Sequence, residues 1–164
     1  MTNAVTEINT NRAQAAQRII SSKPLGLISS AGAVTLVEKA KADPDFRAKL
    51  LAECSLATAA GEPAQSTEIG VMIHRLSLHY PDRKLNPKEA SLVAQDWLSD
   101  LDGVPFDILE LAFKRWRTGP KCAFFPKPGE ILAMVESEQR VRRYLAKRAA
   151  EVVEGLSGAN TPPH

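Results

Sequence analysis

The sequence has few aromatic residues, few cysteines and no long apolar run. Phe, Trp and Tyr make up 5% of the 164 residues, which disfavours the aromatic platforms on which proteins stack single-stranded nucleic acid. No apolar run reaches the roughly 18 residues that a membrane-spanning helix needs, so we expect no membrane contact. Cys54 and Cys122 lie far apart without a Cys-x-x-Cys pattern, as is typical of proteins of the reducing cytoplasm.

Motifs of secretion and catalysis are missing as well. Residues 1–20 carry Glu7 and many polar side chains, whereas a secretory signal has a basic start and an apolar centre. The sequence contains no phosphate-binding loop, dinucleotide fingerprint, nucleophile elbow or His-Glu-x-x-His zinc motif. We therefore expect a cytoplasmic, non-enzymatic protein that uses no metal ion and no cofactor.

The apolar residues that are present recur with helical spacing. One predicted helix carries them three and four positions apart: Ile69, Met72, Ile73, Leu76 and Tyr80. Asn86 is predicted to cap the next helix, because proline and, three residues after the cap, glutamate follow it. Further helices are predicted to begin at Val104-Pro105 and Pro128. The sequence predicts an all-α fold, a small multi-helix bundle with a flexible N-terminal arm and a basic C-terminal helix and tail.

Proline placement and composition predict three segments. Residues 1–62 are predicted to form an N-terminal arm with one or two helices, partly disordered, in which Asp43-Pro44 begins a helix. Residues 66–136 are predicted to form the helical core domain, and residues 137–164 a basic C-terminal helix extension and tail. Trp97 and Trp116 lie on apolar helical faces and are expected in the core.

Charge is unevenly distributed along the chain, although the net charge is only +2. Residues 82–113 hold seven acidic and three basic residues, whereas residues 114–148 hold ten basic and three acidic residues. A basic segment of this kind is most often a solvated surface. It also suits an acidic protein surface, which it would meet at an increased association rate, or nucleic-acid phosphates, which it would bind in a salt-sensitive way.

The stretch from Ile69 to Val135 carries a distinctive set of features. Tyr80-Pro81 follows an apolar helix, Trp97 precedes Leu98 and Leu101, and Trp116 follows Leu109 and Ala112. The run Phe124-Phe125-Pro126-Lys127-Pro128-Gly129-Glu130-Ile131 then leads from a loop into a helix. In these features the segment, about 67 of 164 residues, resembles the small helical helicase loader and inhibitor proteins of bacteriophages and prophages.

This resemblance implies a DNA-replication adaptor rather than a catalyst. The resemblance implies a folded helical domain followed by a flexible C-terminal part that engages a hexameric replicative helicase. Such a protein holds the helicase ATPase activity down and delivers the helicase for loading. Here the folded part would be about 66–136 and the helicase-binding part about 137–164. The expected partner-binding residues are Phe125, Lys127, Arg140, Arg142, Arg143, Lys147 and Arg148.

Two other functions remain open from the residues alone. The alternative is a nucleic-acid-binding regulatory protein that uses the basic segment 114–148 on phosphates. An enzyme that uses His74 or His79 with Glu68 is a further hypothesis. Of the adjacent Phe124 and Phe125, we expect one to be buried and the other partly exposed, and the sequence leaves the oligomeric state open.

Overall fold

The chain is described by a computed structural model at residues 32–81, 85–120 and 122–158. These residues contain no β-strand and form α1 (Ala33–Ala42), α2 (Pro44–Gly61), α3 (Ser66–Ser77), α4 (Pro87–Asp100), α5 (Phe106–Thr118), α6 (Pro128–Ala133) and α7 (Glu136–Gly158). The prediction of an all-α, small multi-helix fold is confirmed. The predicted flexible arm lies outside the described residues up to position 31.

None of the described helices is both long and apolar enough to cross a membrane. The helices belong to two compact units. The central unit comprises residues 62–139, and the described part of the terminal unit combines residues 32–61 with residues 140–158.

The terminal unit is built around an apolar stripe of α7. Its buried side chains recur every three or four residues and pack against α1 and α2: Leu145, Ala149, Val152 and Leu156 on α7, with Leu36, Val37, Leu50 and Cys54 opposite. At Gly155, an added Cβ atom would lie 2.9 Å from Val37 Cγ2, so glycine permits the close approach of α1 and α7. The Asp43 Oδ1 atom accepts hydrogen bonds from the backbone N–H groups of Asp45 and Phe46, which confirms the predicted start of α2.

This arrangement differs from the expected division of the chain. Residues 140–158 were expected in a basic extension and tail, but they supply four of the ten buried residues in the described core of the terminal unit, and the N-terminal helices supply the other six. The physical reason is the apolar stripe of α7, because its side chains are stabilised when α1 and α2 shield them from water. The central unit, residues 62–139, spans the range 66–136 expected for the core domain.

The core of the central unit is rich in tryptophan and leucine. Trp97 and Trp116 are buried there, as expected, together with Leu76, Leu109 and Phe113. Helix α3 packs against α4 and α5, and α6 packs against α4 and α5. The Asn86 Oδ1 atom accepts a 3.0 Å hydrogen bond from the Glu89 N–H group, which confirms the predicted cap of α4.

The helix predicted to begin at Pro128 is interrupted. Helix α6 ends at Ala133, a turn follows at Met134 and Val135, and α7 begins at Glu136. The Arg115 guanidinium donates hydrogen bonds to the Met134 carbonyl oxygen and to the Glu138 carboxylate. Arg115 therefore fixes this turn and the first turn of α7 against α5.

We expect the Glu138 contact to make stability pH-dependent. The hydrogen bond from Arg115, followed by one from the Ser137 hydroxyl, lowers the pKa of Glu138 from 4.5 to about 2. Since the folded-state pKa is depressed, the stabilisation is present above about pH 4.5 and is lost as the pH falls towards 2. Glu138→Gln should therefore lower the free energy of unfolding near neutral pH by at most about 1 kcal/mol, because the pair is partly exposed.

Urea denaturation near neutral pH and near pH 3 measures this difference. The difference in free energy of unfolding between the original chain and Glu138→Gln should be smaller near pH 3 than near neutral pH. Glu110→Gln, which changes an exposed carboxylate on α5, is the control, and its free energy of unfolding should equal that of the original chain at both pH values. An equal gap at both pH values would contradict the assignment to Glu138.

Candidate partner-binding surfaces

A hydrogen-bonded aromatic cluster shapes the loop between α5 and α6. The Trp116 indole N–H donates to the Tyr80 hydroxyl at 3.2 Å, and the Tyr80 hydroxyl donates to the Cys122 carbonyl oxygen at 2.9 Å. This aromatic relay anchors the loop to α5 and to the segment that follows α3.

The two adjacent phenylalanines of this loop face in different directions. Phe125 is half-buried, with its ring centroid 5.5 Å from that of Tyr80 and 5.4 Å from that of Trp97. Phe124 is 76% exposed. One ring is therefore more buried than the other, as expected, although neither is fully buried, and Phe125, named as the partner contact, is the more buried of the two. Phe124 is the exposed ring of this loop and lies three residues before the exposed Lys127.

A basic face runs along the N-terminal half of α7. Arg140, Arg143 and Lys147 are exposed, and so is Tyr144, at 49%. Their spacing of three and four residues places these four side chains on the same side of the helix. We call them the basic face. Tyr144 was not among the residues predicted from the sequence to bind a partner. Its helical spacing from the three basic residues is the sequence signal that places it on their side of the helix.

Two of the expected basic contact residues lie elsewhere on α7. Arg142 is buried, and its guanidinium donates a 2.8 Å hydrogen bond to the Ala60 carbonyl oxygen near the end of α2. Arg148 is partly buried. Arg142 therefore satisfies a carbonyl that the end of a helix leaves without an intrahelical partner, and it holds α7 to α2 rather than facing a partner. This corrects its expected place on the contact surface.

The basic segment 114–148 is divided between the two units. Lys114, Arg117 and Lys127 are exposed in the central unit, while Arg115 is paired with Glu138. In the terminal unit, Lys147 Nζ lies 4.0 Å from Glu151 Oε1, in an exposed pair that leaves the ammonium accessible. Lys121 lies outside the described residues.

The central unit also carries an apolar groove of about 510 Å³ between α3 and α4. Its lining includes Ile73, Leu78, Leu85, Val93, Leu98 and Phe125. Leu78 and Leu85 are exposed at the edge of this groove. The groove and the Phe124 loop therefore give the central unit two neighbouring apolar features, since Phe125 belongs to both.

The residues of the enzyme hypothesis differ in their burial. Glu68 is buried, and its Oε2 atom accepts a 2.7 Å hydrogen bond from the Gln65 N–H group at the start of α3. His74 and His79 are exposed. In the described part of the chain, no group of three or more His, Cys, Asp or Glu side chains is arranged to hold a metal ion.

The two cysteines differ in their surroundings. Burial, followed by the nearby Glu53 charge, raises the pKa of the Cys54 thiol from 9.0 to about 11. Cys54 is therefore a protonated core residue at neutral pH. Cys122 is exposed in the loop of Phe124.

The Phe124 loop and the basic face share one chemical character. Each presents an exposed aromatic residue that is near exposed basic residues in the sequence, Phe124 near Lys127 and Tyr144 near Arg143 and Lys147. Aromatic residues and arginine are enriched in the cores of protein interfaces.

No protein-family model matches this chain, nor does any curated protein or solved structure.

Proposed function

We propose that this protein is a non-enzymatic DNA-replication adaptor of the phage or prophage type, which binds a hexameric replicative helicase and regulates its loading and ATPase. The observation that carries the proposal is the basic face of α7, formed by Arg140, Arg143, Tyr144 and Lys147. It falls within the segment that the resemblance assigns to helicase binding. The aromatic relay of Tyr80 and Trp116 supports the proposal, because these residues of the resemblance hold the Phe124 loop.

The basic face suits an acidic surface on a subunit of the ring. Complementary charge raises the association rate and orients the encounter, and the Tyr144 ring supplies apolar area at low conformational entropy cost. An adaptor that binds one conformation of the ring better than the others shifts the ring towards that conformation. Binding in this way slows ATP cycling without any catalytic group in the adaptor.

We expect the double variant Arg143→Glu and Lys147→Glu to bind the helicase at least about tenfold more weakly, because two attractive charges become repulsive. The measurement uses the purified replicative helicase hexamer of the host and, where the phage encodes one, that of the phage. Binding is followed by light scattering and ATPase rate at saturating adaptor. The original chain should lower the ATPase rate, and the double variant should lower it far less.

The matched control is Lys41→Glu with Lys49→Glu, which changes the net charge equally at exposed positions of α1 and α2. It should bind like the original chain, and circular dichroism checks that both variants fold. An ATPase rate unchanged by saturating original chain would contradict the proposal. If the same basic-face variant loses salt-sensitive binding to duplex DNA while no helicase binds, the nucleic-acid-binding alternative replaces it.

A further inference from the structure

A recess of about 490 Å³ lies between α4 and the first turn of α6 in the central unit. Its apolar lining includes Val93, Pro128 and the 3% of Trp97 that is exposed. Its four charged lining residues, which we call the rim, are Asp96, Asp100, Glu130 and Lys127. The rim is therefore acidic overall, with three carboxylates and one ammonium group. An apolar recess with an acidic rim fits an apolar group that is itself surrounded by cations.

The carboxylates of the rim are placed by regular helix geometry. Asp96 and Asp100 are exposed and lie four residues apart, so both extend from one side of α4. Glu130 Oε2 accepts a 2.9 Å hydrogen bond from the Lys127 N–H group, which fixes this carboxylate at the start of α6. The Glu130 carboxylate is therefore held in place before a partner binds.

The basic face of α7 has the complementary composition. Tyr144 is the half-exposed apolar group, and Arg143 and Lys147 lie one residue before and three residues after it. Asp96 and Asp100 have the same spacing of four residues as Arg143 and Lys147. Two parallel or antiparallel helices can therefore bring both opposite-charge pairs into register at once.

We propose that the recess binds the basic face of a second copy of this chain, with Tyr144 entering the recess and Asp96 and Asp100 facing Arg143 and Lys147. The two surfaces differ, so the contact is head-to-tail and extends into chains or closed rings. If the basic face also binds the helicase, as proposed above, the second copy competes with the helicase for it. Only this competition depends on the proposed function, because self-association needs no helicase.

Sedimentation velocity of the full chain without helicase tests the contact. The weight-average sedimentation coefficient should rise with protein concentration at about 50 mM salt and rise much less at about 500 mM, since exposed charge pairs are screened. Tyr144→Ala should weaken self-association by at least about fivefold, because the aromatic side chain no longer fills the recess. A chain that stays monomeric at every concentration at low salt overturns the proposal.

Two neutralised variants reveal whether the contact is head-to-tail. Asp96→Asn with Asp100→Asn removes the acidic rim but keeps the basic face, and Arg143→Gln with Lys147→Gln does the reverse. Each variant alone should sediment as a monomer. An equimolar mixture should form dimers and nothing larger, because it contains one intact acidic rim and one intact basic face per pair.

Matched controls exclude a general effect of charge. Asp102→Asn with Glu110→Gln and Lys41→Gln with Lys49→Gln neutralise exposed residues outside the two surfaces. Both should associate like the original chain. Self-association that survives in both neutralised variants, or a mixture that forms no dimer, overturns the proposal and leaves helicase binding to be decided by its own experiment.

Discussion

Replacing Phe113 with alanine is expected to lower the free energy of unfolding of the central unit by about 3–5 kcal/mol. Phe113 is 1% exposed and is the largest of the fully buried side chains. Its ring centroid lies 6.1 Å from that of Trp97, in the same core as Leu109 and Trp116. Removal of the ring therefore reduces the apolar surface that is buried on folding. It also leaves a cavity that the surrounding helices cannot close, because they are already closely packed.

Tryptophan fluorescence during urea denaturation measures this change selectively. The chain has two tryptophans, Trp97 and Trp116, and both lie in the core of the central unit. Phe124→Ala is the matched control, because it removes the same side chain from a position that is 76% exposed. It should alter stability by less than about 0.5 kcal/mol. Similar effects of the two substitutions would contradict the described core.

The sequence predicts the central unit well because its signals are local. A cap residue and the proline after it act within one helical turn, and this is why Asn86 marks the start of α4 correctly. Apolar periodicity likewise identifies Trp97 and Trp116 as core residues without knowledge of their partners. The hydrogen bond from the Tyr80 hydroxyl to the Cys122 carbonyl oxygen, in contrast, joins residues 42 positions apart, and no local pattern predicts it.

The terminal unit was the harder part to predict because its contacts are long-range. Arg142 and Ala60 are 82 positions apart, and no local pattern joins them. The many basic residues of α7 predict an exposed helix, whereas Leu145, Ala149 and Val152 form a buried apolar stripe along it. Arg142 lies on that stripe, three residues before Leu145, so its position in the helix and not its charge indicated its burial.

The choice between Phe124 and Phe125 shows a further limit of sequence reasoning. The two side chains are identical, and a loop has no regular periodicity from which to predict which of them is buried. The choice is made by the Tyr80 and Trp97 rings, which contact Phe125 and leave Phe124 exposed. A contact surface on this loop is therefore a consequence of the core packing beneath it.

Leu145→Ala is expected to destabilise the terminal unit by about 2–5 kcal/mol, because a buried leucine is replaced by a cavity. Leu145 is 2% exposed and belongs to the same apolar cluster as Leu50 and Cys54. Hydrogen exchange of backbone amides in α1, α2 and α7 measures the change, since the loss of packing opens these helices more often. A residue in a freely moving tail would show no such dependence on side-chain size.

Tyr144→Ala is the matched control because Tyr144 precedes Leu145 directly on α7 and yet is half-exposed. It should leave amide exchange in α1 and α2 nearly unchanged while it weakens contacts made by the basic face. The two neighbouring substitutions thereby separate the two sides of one helix, one that holds the terminal unit together and one that is available to a partner. If Leu145→Ala leaves the exchange rates of α1 and α2 as they are, α7 does not form the core of this unit, and the basic face loses the rigid support that positions it.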